Sequence, residues 1–101
     1  MKEIINSKFD PAEHDVVIVD FWADWCMPCK MMLPTFTKLS NELTNVTFVK
    51  ANIEENVELA KNCNVNSIPT LAIFKKGKLL TTLVGLQQEN KIREALVLAS
   101  Q

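Results

Sequence analysis

The sequence predicts an α/β protein: a central mixed β-sheet of about five strands, flanked by helices on both faces. Three observations lead there. Residues 16–22, Val-Val-Ile-Val-Asp-Phe-Trp, are apolar on nearly all of both alternating sets, as in a strand buried on both faces. Strand-like runs then alternate with helix-like ones, a pattern that lays helices over a sheet. Two late strands are separated only by Lys75-Lys76-Gly77-Lys78, a short Gly-containing link that marks an antiparallel hairpin and makes the sheet mixed.

In chain order, Glu3–Asn6 is expected as an edge strand and residues 16–22 as the central one. Leu33, Phe36, Leu39 and Leu43 recur at spacings of three and four, so an amphipathic helix is expected over about 28–43. Pro34 falls inside it and removes one of its hydrogen bonds. Residues 46–51 read as the next strand; Asn45-Val46-Thr47 matches a glycosylation pattern but reads as the loop that enters it. Asn56 is placed as the N-cap of a short helix through Leu59, Ala60 and Cys63, closed by Asn64 in a left-handed cap. Thr70–Phe74 and Leu79–Val84 form the hairpin, and Ile92, Ala95, Leu96 and Ala99 mark a last helix. Residues 1–101 are expected to form one domain, since the length suits one core and no linker or repeat interrupts it.

Composition narrows the function. Lys and Arg number 11 against 12 Asp and Glu, a net charge of -1, which excludes the basic surface of a nucleic-acid or acidic-lipid binder. No run approaches the roughly 20 apolar residues of a membrane span, and the first residues have no signal-peptide core. The expectation is therefore a cytoplasmic protein, without nucleic-acid or membrane partners, acting as a monomer. Three cysteines are too few and too odd for a disulfide scaffold. In a reducing compartment a close cysteine pair points to catalysis or metal binding.

That pair is Cys26-Met27-Pro28-Cys29, placed where the most buried strand gives way to the long helix. Positions i and i+3 share a helix face, at a separation that a disulfide tolerates. Closing so short a loop contributes only about 2 kcal/mol, so the bond suits repeated making and breaking better than stapling. The helix start offers free N–H groups and the positive end of the helix dipole. Both favour the thiolate, the reactive form, at Cys26. Pro28 suits the first turn, where its missing N–H costs little. Cys26 is expected at the exposed helix start, with Cys29 one turn in and facing the sheet.

Phe21-Trp22-Ala23-Asp24-Trp25-Cys26-Met27-Pro28-Cys29-Lys30 resembles the active-site segment of the thioredoxin family. The likeness continues through Pro34, Asn56-Val57-Glu58-Leu59-Ala60, Ser67-Ile68-Pro69-Thr70, Phe74-Lys75-Lys76-Gly77-Lys78 and Val84-Gly85. It runs the whole chain in order. Met27 stands where Gly is usual in reducing members, Val57 where Pro often starts the helix, and Leu86 where a small residue is common.

The resemblance implies the thioredoxin fold and a protein-disulfide reductant. Cys26 would attack a target disulfide and Cys29 would resolve the mixed disulfide. A thioredoxin reductase would reset the pair, so that no cofactor is bound here and NADPH and FAD act only through that partner. Disulfide-containing proteins are the other implied partners. The resemblance also gives a cis peptide before Pro69, facing the cysteines, where Pro69 and Thr70 would meet an extended substrate segment through backbone groups. Trp25, Met27, Pro28, Ile68, Val84, Gly85 and Leu86 would form an apolar contact surface around Cys26.

For Asp20, the residues alone leave a strand-end carboxylate reaching water and a buried proton acceptor for Cys29 evenly matched; the resemblance favours the second. Lys50 reads either as that acid's basic neighbour or as an ordinary exposed strand residue. Trp22 and Cys63 read as core, with a regulatory or dimer-forming thiol the alternative for Cys63, and His14 as a solvated loop residue. A zinc site drawing on Cys26, Cys29, Cys63 and His14 is the main rival for the cysteine pair, but no metal is expected, since the spacing matches no zinc motif. At the level of function, a docking module with incidental cysteines and an oxidant or isomerase stand as alternatives. The intact Trp-Cys-x-Pro-Cys-Lys segment and Asp20 oppose the first, and Pro28 the second.

Overall fold

The computed structural model describes residues 1–101. Strand β1 (Lys2–Ile4) precedes a single 3-10 turn (Pro11–Glu13) and the central strand β2 (Val16–Trp22). Helix α1 (Met27–Glu42), β3 (Thr47–Asn52) and α2 (Val57–Asn62) follow, then β4 (Thr70–Lys75), β5 (Lys78–Val84) and α3 (Glu89–Ala99). The strands form one sheet in the order β1-β3-β2-β4-β5. β3 runs parallel to both β1 and β2, while β4 is antiparallel to β2 and β5. This is the mixed five-stranded sheet that the sequence predicts. No helix is long and apolar enough to cross a membrane.

The alternation along β2 divides the core. Val16 and Ile18 face α1 and α3, packing with Met32, Phe36, Leu39, Ile92 and Leu96. Val17, Val19 and Phe21 face α2, packing with Leu59, Ala60 and Cys63. Lys38 reaches Glu89 at 2.9 Å, and Arg93 bridges Glu89 and Glu42, so charged pairs join α1 to α3 at the surface. Water screens such exposed pairs, so they add little to stability.

Several expectations shift. β1 ends at Ile4 rather than Asn6, because Asn6 and Ser7 turn to positive φ (54° and 56°). β3 starts at Thr47, since the N–H of Val46 is committed to the carbonyl of Leu43 at 3.1 Å. The hairpin is tighter than the sequence suggests: only Lys76 and Gly77, at φ 48° and 85°, separate its strands. A side chain at Gly77 would also meet Ala12 at 2.9 Å. The turn at Pro11–Glu13, capped by Asp10, is an addition to the expected elements.

Asn56 stands at the N-cap of α2 yet does not cap it. Its buried amide accepts from Ser7 N–H at 2.9 Å and donates to the carbonyls of Ile4 (2.8 Å) and Asn52 (2.9 Å). The cap comes from elsewhere in the chain: the Ser7 hydroxyl oxygen accepts from Leu59 N–H at 3.0 Å. Asn64 takes the left-handed conformation expected of it, with φ 56°.

Candidate redox site

The central strand β2 ends at Trp22, and a short turn carries the chain from its C-terminal end into α1. Cys26 is the N-cap of that helix, with extended backbone, and its sulfur accepts from Cys29 N–H at 3.2 Å. A helix start leaves such N–H groups without partners, and here a sulfur fills the role usually taken by a Ser or Asp oxygen. Cys26 and Cys29 are joined in a disulfide with their Cα atoms 5.3 Å apart. The expected contrast in exposure is absent: each cysteine is 4 % exposed. In the oxidised pair both sulfurs rest in a small cluster with Ala23, against Trp22, Ile53 and Ile68.

Beneath the pair, Asp20 is buried on β2, in a cavity of about 210 Å³ that it shares with Cys29, Lys30, Leu33, Trp22 and Lys50. Its Oδ1 has no hydrogen-bond partner. Removal from water pushes its pKa up to about 7; the positive charge of Lys50 opposes that rise and the negative charge of Glu3 adds to it. Such a group can take or give a proton near neutrality. Lys50 is neither freely exposed nor bonded to Asp20: its ammonium pairs with Glu3 at 3.5 Å and lies 4.3 Å from the centre of the Trp22 ring. Trp22 is half-buried, and its indole N–H donates to Glu3 at 3.2 Å.

The Ile68–Pro69 peptide is cis. The Pro69 carbonyl accepts from Gly85 N–H at 2.8 Å, which sets the two loops side by side; Gly85 holds φ 88° there. Thr70 is buried in the ladder, paired in register with Phe21 and Val84, and its hydroxyl donates to the Ser67 carbonyl at 2.7 Å. Its side chain therefore forms no part of the outer surface. Trp25 and Met27 are 67 % and 63 % exposed, and Val84 and Leu86 are exposed as well. Ile68 and Gly85 are half-buried, and Pro69 is buried. Between Trp25 and Ile68 opens a groove of about 570 Å³, walled by Ile53, Val57, Ala60 and Val65. Sequence reasoning missed this groove, since its walls come from α2 and three separate connecting segments. The one sequence signal near it is Val57, an apolar residue where Pro often starts the helix, which the structure leaves exposed.

The zinc set is not assembled. Cys63 lies in the apolar cluster on the α2 side, and His14 stacks on Phe9 at 5.4 Å. No three His, Cys, Asp or Glu side chains converge.

The thioredoxin family model matches residues 2–97. The chain belongs to the thioredoxin family. A thioredoxin from Rickettsia prowazekii is 46% identical over 96 residues, covering 91% of each chain. A thioredoxin from Mycoplasma pneumoniae is 38% identical over 81 residues, 80% of this chain and 79% of that one. Among solved structures, oxidised mitochondrial thioredoxin 3 of Saccharomyces cerevisiae superposes with a TM-score of 0.88 at 32% identity, covering 96% of this chain and 93% of its own. The fold is the thioredoxin fold. With the cysteine pair at the start of α1, the thioredoxin chemistry follows: reduction of protein disulfides by dithiol–disulfide exchange.

Proposed function

We propose that Cys26 is the attacking thiol, Cys29 the resolving thiol and Asp20 the proton acceptor for Cys29. The observation that carries this reading is the N-cap position of Cys26, whose sulfur receives the Cys29 N–H at 3.2 Å. That bond, like the helix dipole, favours a negative charge on Cys26 in the reduced protein. The Cys26 thiolate attacks one sulfur of a target disulfide; a mixed disulfide forms and the second target sulfur leaves as a thiolate. Asp20 then takes the Cys29 proton. The Cys29 thiolate attacks the Cys26 sulfur, the intramolecular disulfide closes, and the remaining target sulfur departs. Two electrons have passed to the target, whose two sulfurs end as thiols, one proton coming from Asp20 and the other from water.

A thioredoxin reductase returns the electrons, NADPH and FAD acting on that partner and not on this chain. Targets would meet the apolar rim of Trp25, Met27, Ile68, Val84, Gly85 and Leu86, with the backbone at Pro69 and Thr70 beside them. This reading treats residues 1–101 as one functional domain, monomeric and cytoplasmic, in keeping with three cysteines of which one pair is reactive.

The test has two parts. NADPH oxidation coupled through a thioredoxin reductase to a disulfide protein substrate should require both cysteines. Cys29→Ser should accumulate mixed disulfides with targets and Cys26→Ser almost none. Equal trapping by the two variants overturns the assignment.

A further inference from the structure

Glu3, Lys50 and Asp20 stand in one row across three adjacent strands: Glu3 is in register with Lys50, and Lys50 with Asp20. The middle residue could turn to either carboxyl group. It turns to Glu3, and no ion pair joins it to the buried Asp20, whose Oδ1 stays unpartnered. Glu3 is itself held, because its other carboxylate oxygen accepts the Trp22 indole N–H at 3.2 Å. The Trp22 ring lies 4.3 Å from the same ammonium, a distance suited to attraction between a cation and an aromatic face. Each of the three side chains thus fixes the other two.

We propose that Glu3 is a positioning residue for proton transfer at the cysteine pair: it clamps the Lys50 ammonium against Trp22 and off the Asp20 carboxyl. The inference rests on the reading of Asp20 as proton acceptor. A bare carboxylate one strand away from a free ammonium would bind it, stay ionised and become a poor base. With the ammonium engaged elsewhere, Asp20 keeps the proton affinity that its buried site creates. The charged and titratable groups around Asp20 are few. Glu3 comes from β1, Lys50 from β3, and Cys29 and the exposed Lys30 from α1; β4 opposes it with Leu71. Glu3 acts on Asp20 in two ways of the same sign, by drawing Lys50 away and by its own negative charge.

The test follows the Asp20 carboxyl by carbon-detected NMR titration in the reduced protein, alongside the pH profile of mixed-disulfide resolution. In Glu3→Gln the Asp20 titration should move down by about half a pH unit, and the acidic limb of the profile should move with it. In a Lys50→Met background the same Glu3→Gln change should move it by less than half as much, since the clamp then has nothing to hold. Trp22→Phe keeps an aromatic face, loses the N–H anchor and should shift the titration the same way by a smaller amount. It serves equally if Glu3→Gln loosens β1. A titration unmoved in both variants, or moved equally with and without Lys50, overturns the clamp. Resolution at the wild-type rate in Asp20→Asn would instead remove the proton-acceptor role, a result separate from the titrations.

Discussion

Cys26 and Cys63 are equally enclosed, 4 % and 3 % exposed, yet they sit at opposite ends of two helices. Cys26 caps the N-terminus of α1 and takes an N–H bond on its sulfur. Cys63 closes the C-terminus of α2, among Ile4, Val17, Val19 and Leu59, where burial alone pushes its thiol pKa up. Below the first lies a carboxyl group without a partner; around the second there are apolar side chains. Burial does not decide what a cysteine does. The sign of the local field and the presence of a proton acceptor do, and they cost stability at one site that the other does not lose.

That difference is sharpest for Asp20. Its pKa is 3.8 unfolded and about 7 folded, so between those values the folded state binds more protons and stability falls as pH rises. Below pH 3.8 the burden is absent and above pH 7 it is complete, with a ceiling of about 4 kcal/mol. Asp20→Asn should therefore stabilise the protein by about 2–4 kcal/mol at pH 8 and by almost nothing near pH 4, measured by urea unfolding. Equal gains at both pH values would break the account of Asp20 as a buried, strained acid.

Alkylation of the reduced protein with a limiting reagent compares the two cysteines directly. Cys26 should react more than about tenfold faster than Cys63 near neutrality, as read by peptide mass spectrometry. Comparable labelling would erase the contrast between the helix ends. Cys63→Ala should lose about 1 kcal/mol, a small cavity in an apolar cluster, with reductase-coupled turnover unchanged; a loss of turnover would give Cys63 a part in the chemistry. The smallest effect belongs to Met27. It carries no charge and its side chain is exposed, so Met27→Gly should move the redox potential toward the oxidising side by less than about 30 mV. A wild-type potential more than about 60 mV on the oxidising side of the glycine variant would reopen an oxidant or isomerase role.

The parts legible in the sequence were those written in adjacent residues. β2 announced itself because both of its faces are apolar, the hairpin through its glycine link, α1 through the spacing from Leu33 to Leu43, and the redox pair through its place at a strand-to-helix junction. The cis bond at Pro69 and the burial of Asp20 came only through family resemblance, since nothing local distinguishes them. What escaped was long-range. Asn56 looked like a cap because local rules favour Asn there, but its amide is taken up by Ser7, Ile4 and Asn52. Glu3 looked like an unremarkable edge-strand charge until the parallel pairing of β1 with β3 set it beside Lys50. The equal enclosure of Cys26 and Cys29 likewise depends on Ile53 and Ile68 arriving from other elements.

The strand order also has a consequence for how the molecule is made. β2 lies at the middle of the sheet although it is second in the chain, and neither of its neighbours precedes it. One flank stays bare until Thr47–Asn52 has been synthesised and the other until Thr70–Lys75 has. β1 pairs only with β3, which follows β2 in the chain. A chain emerging from a ribosome therefore carries a largely apolar strand with both flanks open until β3 emerges and one flank open until β4 does. Its contacts are mostly distant in sequence, which slows the closing steps. Assembly should be a late, concerted event triggered by the emergence of β4, with the N-terminal strand waiting on the middle of the chain.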